Sequence, residues 1–186
     1  MTQVIADLTA AIEAARRKQA EERARAKAQA SKPDAPGQPP ETGAAEAAYT
    51  PSGGGFSRLK GNMNLPVEGE ITGKFGETRT DGTGPTWKGV FISAIEGQKV
   101  KAVAPGRVVF SEWLRGFGEI VIIDHGDQYL SVYGNNDKLL KTAGQTVESG
   151  EVIAEVGNSS GNLETGLYFE LRHQGKPFNP MTWSRR

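Results

Sequence analysis

His125 and His173 are the only imidazoles in the 186 residues, and cysteine is absent. Zinc takes imidazole, thiolate or carboxylate donors, and a hydrolytic zinc needs about three of them plus an open position for water. The local concentration of such groups is Asp124, His125 and Asp127. It falls in a His-Gly turn at a strand end, where Asp serves the backbone. His173 follows the last long strand candidate, near another turn. Both imidazoles read as structural or solvent-facing, so neither a metal nor another cofactor is expected. A second concentration is aromatic and cationic: Trp87-Lys88-Gly89-Val90-Phe91-Ile92 and Leu167-Tyr168-Phe169-Glu170-x-Arg172. Trp, Tyr and Arg bury large areas at modest entropic cost and are enriched at binding hot spots. That chemistry is adhesion to a partner.

The elements that must carry these residues differ along the chain. Val4, Ile5, Leu8, Ile12 and Ala15 recur at helical spacing, and Ala, Arg, Lys, Glu and Gln follow. This predicts a helix within residues 1–30 whose apolar stripe fades, as the end of a coiled coil or a regulatory helix. Pro33, Pro36, Pro39 and Pro40 end it. Residues 31–61, rich in Pro, Gly, Ala and Ser, predict a flexible linker. Residues 62–186 predict one domain of about 125 residues, large enough for a single core. Its β-branched runs are Val67–Phe75, Val90–Ile95, Lys99–Ala104, Arg107–Trp113, Glu119–Asp124, Tyr129–Tyr133, Glu151–Val156 and Leu167–Arg172. Glycines between them mark turns. The expected class is mainly β: an antiparallel sandwich or partly open barrel.

Bulk properties narrow the partners. Net charge is zero, which gives no electrostatic case for nucleic acid. No apolar run approaches the roughly 20 residues that span a bilayer. The N-terminus lacks the apolar core of a secretory signal, so an exported protein would carry its signal upstream of this sequence.

The order of motifs from about residue 65 to 183 resembles the LytM (lysostaphin-like) zinc peptidases. Phe75-Gly76 resembles the opening FG of that domain. Val100 to Val109 resembles its V-x-A-x-A-x-G-x-V hairpin. Ser131-Val132-Tyr133-Gly134-Asn135 resembles T-x-Y-x-H, and Val147, Gly150 and Ile153 to Gly157 resemble V-x-x-G-x-x-I-x-x-V-G. Leu167-Tyr168-Phe169-Glu170 resembles H-L-H-F-E. The resemblance implies that the family's metal His and Asp fall on Trp87 and Phe91. Its water-polarising His falls on Asn135, and the two His of H-x-H fall on Gly166 and Tyr168. All five positions are changed, so the expectation is a catalytically dead homologue.

Trp-Lys-Gly-x-x-Ile, the Leu-Tyr-Phe-Glu-x-Arg strand and Asn179-Pro180-x-x-Trp183 are most similar to the EnvC-type murein hydrolase activators, which have a coiled coil and a degenerate LytM domain. That resemblance implies a periplasmic, non-enzymatic protein. It would bind N-acetylmuramoyl-L-alanine amidases and promote septal peptidoglycan splitting during cell division. The upstream helical region would serve a cell-division membrane complex. The implied amidase-binding groove comprises Lys88, Phe91, Phe117, Ile120, Tyr133, Tyr168 and Arg172, with Lys88 and Arg172 at its rim. Two other readings of the same residues stand beside it: a peptidoglycan-binding module whose aromatics stack on sugars, and a zinc endopeptidase with a relocated metal site.

Overall fold

The computed structural model describes residues 3–30, 55–79, 85–161 and 164–185. Helix α1 covers Gln3–Ala30, built from strong helix formers. Among the described residues ten strands follow: β1 (Glu70–Gly73), β2 (Val90–Ser93), β3 (Lys99–Lys101), β4 (Gly106–Leu114), β5 (Gly118–Gly126), β6 (Tyr129–Leu139), β7 (Thr146–Val147), β8 (Val152–Val156), β9 (Gly166–His173) and β10 (Lys176–Phe178). The main path of the open sheet is β1-β2-β9-β6-β5-β4-β7. β10 adds to β9, while β8 pairs with β6 and β3. Every strand pair is antiparallel, as the pattern of short Gly-punctuated strands predicts. β7 and β10 have two and three residues, too short for a periodicity to register.

The alternation of side chains across the strands divides the apolar residues between two faces. Val90, Ile92, Val121, Ile123, Tyr133, Leu167, Phe169 and Leu171 point into the main core. Phe91, Ile120, Ile122, Leu130, Val132 and Tyr168 alternate with them and point the other way. Both faces are covered, which is why Val121-Ile122-Ile123 is continuously apolar.

The second face is covered by α1. Leu8 is 0% exposed and Ile12 is 5% exposed, and both pack into that second cluster, with Ala15 beside them. The stripe predicted in the helix therefore seats on the chain's own β domain. Fully burying a large aliphatic side chain contributes about 1.5–3 kcal/mol. Two such side chains hold the helix modestly against the entropy of ordering it, while the sheet has its own, larger core.

One boundary moves. Residues 31–54, most of the expected linker, lie outside the described residues. Phe56 to Gly61, assigned to that linker from composition, belong to the domain instead. Phe56 is buried, with its ring 4.6 Å from that of His125 and 5.2 Å from that of Trp183. Ser- and Gly-rich surroundings masked a single aromatic anchor whose partners lie far along the chain.

Candidate functional site

Trp87, Phe91, Tyr168 and Phe117 form a continuous aromatic floor on the face beneath α1. Ring centroids are 5.9 Å apart for Trp87–Phe91, 6.1 Å for Trp87–Tyr168 and 5.4 Å for Phe117–Tyr168. Pairing of β2 with β9 sets Phe91 opposite Tyr168 and Ser93 opposite Gly166. Two glycines leave room for the rings. A Cβ on Gly166 would lie 2.7 Å from Cε1 of Phe91, and one on Gly73 would lie 2.7 Å from Cε2 of Trp87. The Arg79 guanidinium sits 3.7 Å from the centroid of the Trp87 ring and 5.7 Å from that of Tyr168, within cation–π range. Arg79 follows the Phe75-Gly76 pair in the sequence; its ring contacts come only from the folded arrangement.

Below this floor, β9 carries Tyr168, Glu170 and Arg172 at alternate positions, on one face. The Tyr168 hydroxyl donates to one oxygen of the Glu170 carboxylate, and Arg172 Nε donates to the other. Glu170 is fully buried and Arg172 is 3% exposed. Burial first, and then the adjacent Glu170 charge, push the Tyr168 phenol well above its usual 10. It therefore stays protonated and remains a donor. A buried carboxylate and guanidinium are tolerable together because each meets the other's charge.

The predicted groove residues divide accordingly. Phe91, Phe117, Ile120 and Tyr168 come together in the second-face cluster, with Trp87 packed against them. Tyr133 does not. It lies in the main core on the opposite face, fully buried, with its oxygen accepting from the Val103 amide at 3.1 Å. Burial raises its phenol to about 12. Strand parity is the reason: Val132 takes the groove side, so Tyr133 must take the other. Arg172 is not at a rim but buried, held by Glu170 two residues before it. Lys88 is half-buried and donates to the Thr86 hydroxyl at 3.1 Å.

Asn135 is also not a free wall of the cleft. It is buried, in the left-handed region at φ 66°, which Asn tolerates better than most residues. Its amide nitrogen donates to the Gly157 and Gly166 carbonyls at 3.0 and 2.9 Å. Its carbonyl oxygen accepts from the Ser160 amide and hydroxyl. Its backbone amide donates to the Phe117 carbonyl at 2.6 Å. The residue ties the middle of β6 to the segment from Gly157 to Ser160, the start of β9 and the β4–β5 hairpin that carries Phe117.

The imidazoles occupy other places. His125 Nδ1 meets the Pro105 carbonyl and Nε2 meets the Ser131 hydroxyl, at 2.8 and 2.7 Å. Asp124 accepts from the Gly126 amide inside the β5–β6 turn, and His173 stacks on Tyr129 with centroids 4.1 Å apart. Among the described residues, no group of three or more His, Cys, Asp or Glu is placed to hold a metal ion.

Sequence reasoning passed over Val109, Phe110, Leu114, Leu130 and Val132, which extend the apolar face around the aromatics. Period-two alternation carried that signal, but a strand buried on both sides does not mark which face is which.

Comparison with known proteins agrees with this frame. The profile of Peptidase family M23 matches residues 85–180, about half of the chain. Murein hydrolase activator EnvC of Escherichia coli is 41% identical over 133 residues, covering 72% of this chain and 31% of that protein. Murein hydrolase activator NlpD of the same species is 40% identical over 119 residues, covering 63% of this chain and 30% of that protein. The chain thus spans about a third of the length of these relatives. Among solved structures, the catalytic domain of the prophage-encoded M23 protein EnpA from Enterococcus faecalis superposes with a TM-score of 0.55 at 27% identity. That match covers 63% of this chain and 95% of that one. With the sheet, the order of the motifs and the matched span in agreement, the chain belongs to Peptidase family M23.

Proposed function

We propose that this protein is a non-enzymatic activator of cell-wall hydrolysis. It binds periplasmic N-acetylmuramoyl-L-alanine amidases through the former active-site groove and promotes the splitting of septal peptidoglycan. The observation that carries this reading is the floor formed by Trp87, Phe91, Phe117 and Tyr168. Motif resemblance aligns Trp87, Phe91 and Tyr168 with the family's metal donors, and the floor is already seated against an amphipathic helix through Leu8 and Ile12. A groove that accepts one helix has the shape and apolarity to accept another in its place. Two relatives named murein hydrolase activators point the same way.

In this mechanism α1 and a helix of the amidase compete for one surface. The closed chain has its groove occupied, and release of α1 frees it. The freed groove captures an amidase segment that otherwise blocks that enzyme's own site. Activation requires that the groove prefer the open amidase, because equal affinity for both states would shift nothing. Peptidoglycan is the amidase's substrate here, and no chemistry is assigned to this chain.

The test is wall hydrolysis by a purified amidase with and without the full chain. Stimulation by the wild type, and its loss in Tyr168→Ala and Lys88→Ala variants that keep a native unfolding transition, is the expected result. Unchanged stimulation in both variants would remove the groove from the mechanism. Wall lysis by this protein alone, with stoichiometric zinc, would overturn the non-enzymatic reading.

A further inference from the structure

We infer that the seam between α1 and β4 is a binding site for a small oxyanion, of phosphate or carboxylate type, which clamps the helix in its closed position. The inference rests on the reading that α1 closes the groove. Leu8, Ile12 and Ala15 continue along the same helix face to Lys18, and at that end a cavity of about 50 Å³ opens against β4. Lys18 lines it from α1 and Arg107 from β4, together with Ala15, Val109 and Gly144, and among the described residues no acidic side chain lines it.

Arg107 Nε is buried there and has no hydrogen-bond partner among the described residues. A guanidinium N–H withdrawn from water without an acceptor is unfavourable. The groups that might have served are committed elsewhere. Asp124, opposite Arg107 in the β4–β5 register, turns its carboxylate to the Gly126 amide at 2.8 Å. The Val108 carbonyl accepts from the Gly144 amide at 2.8 Å, and the Gln145 carbonyl accepts from the Val108 amide at 2.8 Å. The result is two cations, one on each moving part, lining one concavity with no counter-charge among the described residues.

Two like charges lining one cavity add nothing to the closed state at this end of the helix. An oxyanion changes that. The guanidinium fork of Arg107 fits two oxygens of a planar or tetrahedral oxyanion, satisfying Nε, and the Lys18 ammonium reaches a third contact from the helix. The cavity volume accommodates an ion of this size. Because Lys18 joins the site only when α1 is docked, the anion binds the closed form better. By linkage it must then stabilise that form.

The experiment is hydrogen exchange of the full chain, read in the α1 amides, during titration with inorganic phosphate or with acetate at ionic strength matched by chloride. At an anion concentration of ten times its dissociation constant, α1 protection is expected to rise about tenfold. Arg107→Gln and Lys18→Gln should abolish the rise while β5 and β6 amides stay protected. Arg107→Lys, which keeps charge but loses the fork, should retain a smaller response. A stronger phosphate than acetate response identifies a dianion, and the reverse order a carboxylate. Overturning results are no change beyond that of chloride, or an equal rise in Arg107→Gln and Lys18→Gln. If α1 is protected in the wild type, exposed in Leu8→Asp and indifferent to both anions, the anion site fails and helix closure stands. If wild-type α1 exchanges as fast as in Leu8→Asp at every anion concentration, both fail.

Discussion

The Phe91 ring occupies the space that a side chain on residue 166 would need: a Cβ on Gly166 would lie 2.7 Å from Cε1 and 2.9 Å from Cζ of that ring, and 2.4 Å from the Ile92 carbonyl oxygen. The position has no room for a metal-binding side chain. Gly166→His should therefore destabilise the domain by about 1–3 kcal/mol or more through overpacking, without conferring zinc binding. Adding Phe91→Ala should recover only part of the loss, because the Ile92 carbonyl belongs to the paired β2 backbone. Urea midpoints of the two variants check this; a Gly166→His protein as stable as wild type would contradict the packing.

Leu8 bears on the same cluster from the helix side. Replacing it with Asp removes a buried aliphatic side chain and places a charge against Phe91, Phe117 and Tyr168. Losing about 1.5–3 kcal/mol of burial shifts the closing equilibrium about tenfold to a hundredfold toward the open form. The main core of the sheet does not include Leu8. The expected outcome is therefore faster exchange in α1, an unchanged cooperative unfolding transition, and stimulation of an amidase at lower protein concentration than wild type. A fall in stimulation would place Leu8 on the activating side.

Much of this arrangement was legible in the residues. Val121-Ile122-Ile123 announced a strand buried on both faces. The residue types at 87, 91 and 168 announced an aromatic surface. The family resemblance places Tyr133 in the groove, yet one residue of strand parity sends it into the core. The family resemblance puts Arg172 at the groove rim, but Glu170 at the preceding same-face position makes its burial possible. The helix stripe was visible, but an apolar stripe does not name the surface that will cover it.

Asn135 makes a sharper demand than its polar type suggests. Its side chain satisfies two carbonyls and two donors from three segments while its backbone holds φ 66°. Asn135→Ala leaves buried carbonyls of Gly157 and Gly166 without this donor and places Ala in the left-handed region, which together cost on the order of 3 kcal/mol. Asn135→Asp should be worse, since a carboxylate cannot donate to either carbonyl. Asn135→Gly should fall between wild type and Ala, keeping the backbone conformation but not the bonds. Chemical denaturation orders the three; a neutral Ala variant would refute the clamp.

His125 should give the domain a pH dependence of its own. Its Nδ1–H donates to the Pro105 carbonyl, and its Nε2 accepts from the Ser131 hydroxyl, the tautomer that suits both partners. Burial lowers its pKa from 6.5 to about 4, partly countered by the Pro105 hydrogen bond. The unfolded chain therefore takes up a proton as pH falls through 6.5, while the folded chain resists until about 4. Stability should decline across that interval, by on the order of 3 kcal/mol, and this contribution should level off below it. Glu151 and Glu155 act in a different window. Hydrogen bonds from Lys141 and Lys99 hold their carboxyls below the usual 4.5, so the stability they add is present above that value and lost as pH falls beneath it. Urea midpoints between pH 7 and pH 4.5 isolate the histidine term. His125→Gln should be less stable at pH 7 but show a flatter slope over that range, and an undiminished slope in the variant would assign the pH dependence to another group.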